Sequence, residues 1–315
     1  MKSINPAIVF YCYNRYHHTK KTLGRIIELE ENLPLFVFSD GPKDGIMDLN
    51  LNQVRDYLKE IKNKKPDIEF VFREKNVGLA GNVIGGINEV FKKGFDSVIV
   101  LEDDCVPKED FFLFMKQALS YYKNNNRVMH ISGFGLPLKE KLNSDTYFSP
   151  YPCSWGWATW KDCWIKCDFS DESYYWKILN DKELKNQFNW SGKSFSLFLR
   201  MQMEGKIDSW LIRWYVHIFK NKGLTVWAAN SKLENIGFDG TGKHKVRLDR
   251  FNQKHTLTKE RFHFEKNIEV SPNIVHEFRR YFMGKNILEK IKSIIYMYSG
   301  VILERKKDLS DYYKS

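Results

Sequence analysis

The sequence predicts an α/β protein with a mostly parallel β-sheet flanked by helices. Through the first 130 residues, short apolar runs alternate with segments of helical periodicity, which is the order of successive βαβ units. The apolar run at 98–101 is mostly β-branched and too short for a helix, which indicates a buried central strand. Polar residues follow the predicted strands, as expected where parallel strands end at one ligand-binding edge.

The spacing of apolar residues places the elements in order along the chain. The predicted strands cover residues 7–13, 35–38, 68–72, 98–101 and 128–131. The predicted helices cover residues 17–29, 51–61, 76–91, 110–122 and 209–219. Right-handed crossover connections would place helices on both faces of the sheet.

Composition bounds the class of protein without choosing a function. The chain has 315 residues, of which 43% are hydrophobic and 28% charged, enough for one large domain or two small ones. A formal net charge of +11 favours anionic partners, namely nucleotide phosphates, nucleic acid or an anionic membrane surface.

Cysteine usage and hydropathy predict a cytoplasmic protein. The five cysteines include no C-x-x-C pair and no set that completes a zinc site, so reduced thiols are the simplest interpretation. No apolar run resembles a secretory signal or reaches the roughly 20 residues of a membrane span.

Three consecutive carboxylates, Glu102, Asp103 and Asp104, follow the central strand. Adjacent carboxylates repel each other unless a positive charge neutralises them, and a divalent cation carrying phosphates does so in many proteins. A plain acidic turn is the alternative for such a short motif. The other strand ends favour the first interpretation, since they supply polar and cationic residues to the same edge. These residues are Asn14, Arg15, Asp40, Gly41 and Arg73.

Tryptophan dominates the second half, with all nine residues between positions 155 and 227. Aromatic faces can stack on a sugar ring, and Trp155 and Trp157 flank a glycine that leaves room for a ligand. A packed core is the alternative, which we expect for Trp160 and Trp164. We assign Trp155, Trp157 and Trp210 to a sugar site.

The order of these motifs resembles the GT-A nucleotide-sugar glycosyltransferases, a Rossmann-like fold, and within them family 2-type enzymes and N-acetylglucosaminyltransferase I. The resemblance covers residues 5–245. Its motifs are the YNR sequence at 13–15, the SDG turn at 39–41, the R-x2-N-x-G sequence at 73–78 and the acids at 102–104.

The resemblance implies a nucleotide site at the strand ends, with Arg15, Asp40 and Arg73 near the nucleotide. Asp104 would ligate Mn or Mg bridging the donor diphosphate, with Glu102 and Asp103 holding the ribose or supporting that ligand. His244 would be a late metal ligand, with an exposed loop histidine as the alternative. The donor would be UDP-linked.

A transferase also needs a carboxylate base for the acceptor hydroxyl. Asp208 is our choice, because related enzymes place a base just before a helix with an Arg-Trp element, here at 213–214. The alternative is that Asp208 is the N-cap of that helix. Asp171, Glu172 and Asp239 are the rival bases. Inversion of the anomeric centre follows from the resemblance and not from spacing.

The predicted domain arrangement is a GT-A domain over 1–245 and a helical extension over 246–315. Within the domain, residues 1–130 would bind the nucleotide and residues 131–245 the acceptor. Residues 285–305 form a strongly amphipathic pattern with lysines beside it. Such a helix lies on the inner, anionic face of the cytoplasmic membrane or packs on protein. Membrane docking would suit a lipid-linked acceptor.

The function that these features favour is transfer of a sugar to a saccharide or lipid-linked saccharide acceptor in bacterial surface polysaccharide synthesis. Two other functions are alternatives. A sugar nucleotidylyltransferase should carry a G-x-G-T-R-like loop after the first strand, where this chain has YNRY at 13–16. The second alternative is a non-catalytic carbohydrate-binding protein. A nucleic-acid partner is disfavoured, because the acids at 102–104 repel phosphate when no metal is present.

Overall fold

The computed structural model describes residues 4–46, 48–190, 192, 194–240, 258–283, 287, 288 and 291. The strands are β1 (Pro6–Cys12), β2 (Leu35–Ser39), β3 (Glu69–Phe72), β4 (Ser97–Glu102), β5 (Cys105–Pro107), β6 (Val128–Ser132), β7 (Thr146–Ser149), β8 (Trp157–Trp160), β9 (Leu224–Ala228) and β10 (Leu233–Asn235). The helices are α1 (Tyr16–Leu29), α2 (Leu49–Lys64), α3 (Gly78–Lys92), α4 (Phe111–Tyr122), α5 (Lys161–Trp164), α6 (Ser173–Asn180), α7 (Lys182–Phe188), α8 (Ser194–Met203), α9 (Trp210–Lys220) and α10 (Pro272–Met283).

Eight of the described strands form one sheet in the order β3-β2-β1-β4-β8-β6-β9-β7. The first four are parallel, and Phe10 of β1 lies opposite Val37 of β2 and Leu101 of β4. Their carboxyl ends therefore meet at one edge of the sheet, which is where Arg15, Asp40, Arg73 and the acids follow. The predicted α/β class is confirmed.

Alternation along β1 explains why helices cover both faces of this sheet. Ile8 and Phe10 belong to a core with residues of α1 and α4, whereas Ala7 and Val9 belong to a second core with residues of α3 and α9. Parallel strands buried on both sides read as continuous apolar runs, which is why the sequence revealed them.

The second half adds strands that the sequence pattern did not reveal. β8 lies between β4 and β6 and is antiparallel to both, with Val98 opposite Thr159. β9 pairs with β6 in parallel and with β7 in antiparallel. All four residues of β8 are buried, so this tryptophan-containing segment is an interior strand of the sheet.

Residues 258–283 pack on the same core as the sheet. Phe264 and Phe278 are buried, and Phe278 makes an edge-to-face contact with Trp227 at 4.9 Å between ring centroids. The domain division at residue 245 stays a prediction. Most of the amphipathic segment at 285–305 lies outside the described residues. Within the described part of the chain, no helix combines the length and apolarity that crossing a bilayer requires.

Candidate active site

Arg15 and the two aspartates after β4 form the centre of the candidate site. Arg15 directly precedes α1, and its side chain reaches the turn between β4 and β5. Its Nε donates to Oδ2 of Asp103 at 3.2 Å, and its Nη2 contacts Oδ1 of the same carboxylate. Nη2 also donates to Oδ2 of Asp104 at 2.9 Å. The structure thus brings together residues from two strand ends, Arg15 after β1 and the two aspartates after β4.

Electrostatic repulsion within the acid cluster is only partly relieved by this guanidinium. Burial raises the pKa of Glu102, and the Asp104 and Asp103 carboxylates raise it further. Burial also raises the pKa of Asp103, although the nearby Arg15 opposes the shift. The cluster therefore favours additional positive charge, as a divalent cation would supply.

The backbone around Asp103 and Asp104 is held from two sides. The Thr22 hydroxyl of α1 donates to the Asp103 carbonyl at 2.6 Å, and the Ile236 amide donates to the Asp104 carbonyl at 2.9 Å. A Cβ at Gly237 would lie 2.4 Å from Oδ2 of Asp104. A larger residue at this position would force the carboxylate to move, so the turn after β10 packs closely against it.

The donor set fits a hard divalent cation that shares its coordination with a substrate. Asp104 presents carboxylate oxygens, and its side chain is 16% exposed. Across the described ranges, no group of three or more His, Cys, Asp or Glu side chains surrounds a single position. Mg²⁺ typically binds through one or two carboxylates and completes its shell with water and phosphate oxygens. His244, the other expected ligand, lies outside the described residues.

The turn at Asp40 and Gly41 is hydrogen-bonded to the loop before α3. Oδ1 of Asp40 accepts hydrogen bonds from the amides of Gly41 at 2.8 Å and Val77 at 3.0 Å. The Asn76 side chain donates to the Gly41 carbonyl at 2.9 Å. A Cβ at Gly41 would lie 2.2 Å from the Lys75 carbonyl carbon, so this close approach requires glycine. Asn14 is half-buried next to Arg15.

Arg73 is directed toward α3. Its Nε donates to Oδ1 of Asn82 at 3.1 Å, its Nη2 lies 2.8 Å from Glu89, and its guanidinium lies 5.4 Å from the centre of the Phe38 ring. A role at the nucleotide stays a prediction for this residue, because the structure gives it protein partners.

Arg55 is a site residue that the sequence did not suggest. Its Nη2 donates to the carbonyl of Asp40 at 3.2 Å and to that of Arg73 at 2.5 Å. It therefore ties together the chain ends that follow β2 and β3. Nothing in the spacing of α2 distinguishes it from an ordinary surface arginine.

Asp208 lies between α9 and the start of α3, near Arg213 and Gly78. The N-cap of α9 is Ser209, whose hydroxyl accepts from the Ile212 amide, so the expected alternative that Asp208 caps this helix is wrong. Oδ1 of Asp208 accepts from Nη2 of Arg213 at 2.6 Å. A Cβ on Gly78 would lie 3.7 Å from Oδ2. The carboxylate thus faces the start of α3, and its side chain is 58% exposed.

Two of the three tryptophans assigned to a sugar site are core residues. Trp157 is 0% exposed and Trp210 is 2% exposed, and their rings stack at 4.7 Å between centroids. Neither ring offers a free face to a sugar, which corrects the assignment of both. Trp155 is half-buried and makes edge-to-face contacts with Phe134 and Phe238.

The three rival bases, Asp171, Glu172 and Asp239, have different neighbours. Asp171 accepts from the Ser173 amide at 3.0 Å and lies 3.8 Å from Lys220. Glu172 directly precedes α6. Asp239 lies in the turn beside Asp104, and its Oδ2 is 3.1 Å from Nε2 of His18, a histidine that the sequence did not single out.

Comparison with known proteins gives the class of enzyme. Residues 7–155 match the family model described as Glycosyl transferase family 2, a segment that holds the parallel strands, Arg15, Asp40, Arg73 and the acid cluster. The protein is therefore a glycosyltransferase, and residues 7–155, just under half of the chain, are similar to family 2. The narrower likeness to N-acetylglucosaminyltransferase I stays a prediction.

Several solved structures are distantly similar to this chain. The mannosyltransferase PcManGT from Pyrobaculum calidifontis, in complex with GDP-Man and Mn²⁺, is 11% identical with a TM-score of 0.40 and 70% of each chain covered. GalNAc-T7 with UDP, GalNAc and Mn²⁺ is 12% identical, with a TM-score of 0.47. The aligned region covers 72% of this chain and 43% of GalNAc-T7. TarS from S. aureus is 11% identical, with a TM-score of 0.39. The aligned region covers 73% of this chain and 59% of the TarS chain.

This chain thus spans less than two thirds of GalNAc-T7 and of TarS. No curated protein matches the sequence.

Proposed function

We propose that this glycosyltransferase moves a sugar from a UDP-linked donor to a saccharide or lipid-linked saccharide acceptor, with the help of Mn or Mg. The observation that carries the proposal is the contact of Arg15 with both Asp103 and Asp104 at the carboxyl end of β4. A partly neutralised acid pair at this edge of a parallel sheet suits a metal-bound diphosphate.

The donor would lie along the edge formed by β2, β1 and β4. Asp40, Gly41 and Asn14 would border the nucleoside, and Glu102 and Asp103 would support the ribose side. Asp104 would hold the cation, which supplies positive charge to the leaving diphosphate when bound. Arg15 would add a second positive charge beside the same phosphates.

Asp208 is the proposed general base. Its exposure allows a hydroxyl to approach, and Arg213 fixes one carboxylate oxygen while the other faces the start of α3. A base that acts directly on the acceptor hydroxyl accounts for a single displacement with inversion. Trp155 is the remaining aromatic candidate for a sugar contact.

The acceptor is proposed from charge and pattern. The net charge of +11 and the amphipathic segment at 285–305 support association with an anionic membrane surface. A lipid-linked saccharide of bacterial surface polysaccharide synthesis is the acceptor class that such a location would favour. Nucleic acid is not a proposed partner.

The test is a panel of nucleotide sugars screened for thermal stabilisation with and without Mn²⁺. A ligand that binds only the folded state raises its stability, by about 2.7 kcal/mol at 100 times Kd. We expect a UDP-sugar to stabilise the wild type only with Mn²⁺, and Asp104→Asn to lose that effect. Equal stabilisation in EDTA, or none by any nucleotide sugar, would contradict the proposal.

A further inference from the structure

A polar contact joins α1 to the turn after β10, between His18, which has no role above, and the rival base Asp239. His18 occupies the first turn of α1, three residues after Arg15, and is buried. Its Nε2 lies 3.1 Å from Oδ2 of Asp239, whose side chain is more exposed. Asp239 ends the short 3-10 turn Gly237–Asp239. The contact therefore joins two segments that are far apart in the sequence.

The turn that His18 reaches is built on Asp104. The Ile236 amide donates to the Asp104 carbonyl at 2.9 Å, and Asn235 pairs with Cys105 where β10 meets β5. The Cα of Gly237 packs against the Asp104 carboxylate, and the Gly237 amide donates to Oδ1 of Asn235 at 2.8 Å. One end of the turn thus contacts the proposed metal ligand, and the other end contacts His18.

The far end of this turn is held by side-chain contacts, of Phe238 with Trp155 and of Asp239 with His18. Gly240 follows with φ of 87°, a left-handed conformation at which the helical turn ends. Such a turn loses conformational entropy when it is fixed in one place. The His18 contact lowers that cost in the free protein, because the turn is already ordered before the ligand arrives.

We propose that His18 is a positioning residue of the donor site. By holding Asp239, it keeps residues 236–240 against Asp104 and fixes this carboxylate for the cation that accompanies the donor diphosphate. The proposal rests on the metal-dependent transfer proposed above. Groups that orient a metal ligand without touching the metal typically change metal affinity about 10- to 100-fold when they are removed.

The experiment measures Mn²⁺ binding in the presence of UDP, from the electron paramagnetic resonance signal of free Mn²⁺. Thermal unfolding of each metal-free variant is recorded separately. The variants are His18→Ala, Asp239→Ala and the double substitution. We expect each single variant to raise the Kd for Mn²⁺ about 10-fold. The double variant should add little to either single one, since both remove the same contact.

Two further variants separate positioning from a general loss of stability. His18→Gln keeps a side-chain N–H donor and should retain tighter binding than His18→Ala. His17→Ala changes the exposed neighbouring histidine on the same helix and should bind Mn²⁺ as the wild type does. If His18→Ala folds poorly, the Asp239 variants carry the same test from the exposed partner.

The outcomes distinguish this proposal from the one on which it rests. A wild type that binds Mn²⁺ with UDP, together with His18 and Asp239 variants of unchanged affinity, would overturn the role of His18 alone. Lower melting temperatures with unchanged Mn²⁺ affinity would also overturn it, because they indicate a structural contact. A wild type that binds no Mn²⁺ with UDP would overturn both proposals.

Discussion

Nη2 of Arg15 lies 2.9 Å from Oδ2 of Asp104, so a protein cation contacts the carboxylate proposed to hold the metal. The same nitrogen also contacts Asp103. A divalent ion at Asp104 would share this carboxylate with the guanidinium, and two neighbouring cations repel each other. We therefore expect Arg15 to stabilise the metal-free site and to weaken binding of Mn²⁺ alone.

Replacing Arg15 by Gln should destabilise the metal-free protein by about 3 kcal/mol, because it leaves carboxylates unpaired in a largely buried site. Mn²⁺ should then raise the melting temperature of Arg15→Gln more than that of the wild type. Thermal unfolding with and without Mn²⁺ measures both effects. Arg25→Gln is the matched control, since it removes surface ion pairs with Glu28 and Glu109. Equal Mn²⁺ shifts in wild type and Arg15→Gln would contradict the expectation.

Asp208→Asn should separate catalysis from donor binding. Loss of a general base typically lowers kcat about 10²- to 10⁴-fold, while the Kd for UDP-sugar with Mn²⁺ should stay within about twofold of the wild type, as no donor contact is proposed for Asp208. Release of UDP in the presence of acceptor measures the first quantity and calorimetry the second. Asp56→Asn, on the surface of α2, serves as the control. If Asp171→Asn or Asp239→Asn abolished turnover while Asp208→Asn did not, the base would be elsewhere.

Trp157→Ala should destabilise the fold by about 3–5 kcal/mol, the usual cost of truncating a large buried aromatic side chain. The ring stacks between His130 at 5.0 Å and Trp210 at 4.7 Å. Trp176→Ala is the matched control, because this side chain is exposed and should change stability by less than about 0.5 kcal/mol. Urea unfolding gives both values. A Trp157→Ala protein of wild-type stability with weakened donor binding would restore the sugar-site interpretation.

His130 makes the fold sensitive to mild acid. Burial lowers the pKa of His130 to about 3. Nδ1 accepts from Nε1 of Trp214 at 3.2 Å, which leaves the proton of the neutral ring on Nε2, 3.0 Å from the Cys153 carbonyl oxygen. In the unfolded chain this histidine binds a proton as pH falls below about 6.5, whereas in the folded protein it stays neutral until about pH 3. The neutral buried ring therefore contributes fully to stability above pH 6.5, and this contribution is lost as pH falls toward 3.

Between pH 7 and pH 5 this single group should lower the free energy of unfolding by about 2 kcal/mol. His130→Gln, which cannot titrate, should lose that much less over the same interval. Urea unfolding at the two pH values measures the difference. Equal pH dependence in both proteins would show that His130 titrates normally when folded.

Removal of residues 285–315 tests the proposed membrane association. We expect the shortened protein to bind anionic vesicles less than the full chain does, because an amphipathic segment and its lysines would be lost. Sedimentation with anionic and with neutral vesicles measures the difference. Unchanged partition after the deletion would assign the segment to a protein contact.

The parallel half of the fold could be predicted because its signals are local. β1, β2 and β4 are apolar runs buried on both faces, and the helices between them show helical spacing. β8 and β9 pair with strands distant in sequence. Two of the four buried residues of β8 are tryptophans, which resemble a sugar-binding surface when only the order of residues is known. Long-range antiparallel pairing leaves no short motif to recognise.

The candidate site likewise contains some residues that the sequence could predict and some that it could not. Arg15, Asp103 and Asp104 could be placed together because parallel strands end at a common edge. The contact of His18 with Asp239 and the bridge made by Arg55 depend on how α1, α2 and the turn after β10 pack. Such contacts arise from tertiary structure, so the spacing of residues along the sequence does not predict them.

The position of β8 between β4 and β6 limits where this chain can be cut. A fragment ending at residue 155, where the family match stops, would leave the flank of β4 unpaired along Val98 and Val100. An open, hydrophobic strand of this kind recruits other chains and promotes aggregation. Anyone grafting residues 7–155 onto another protein would need to carry β8 along with them.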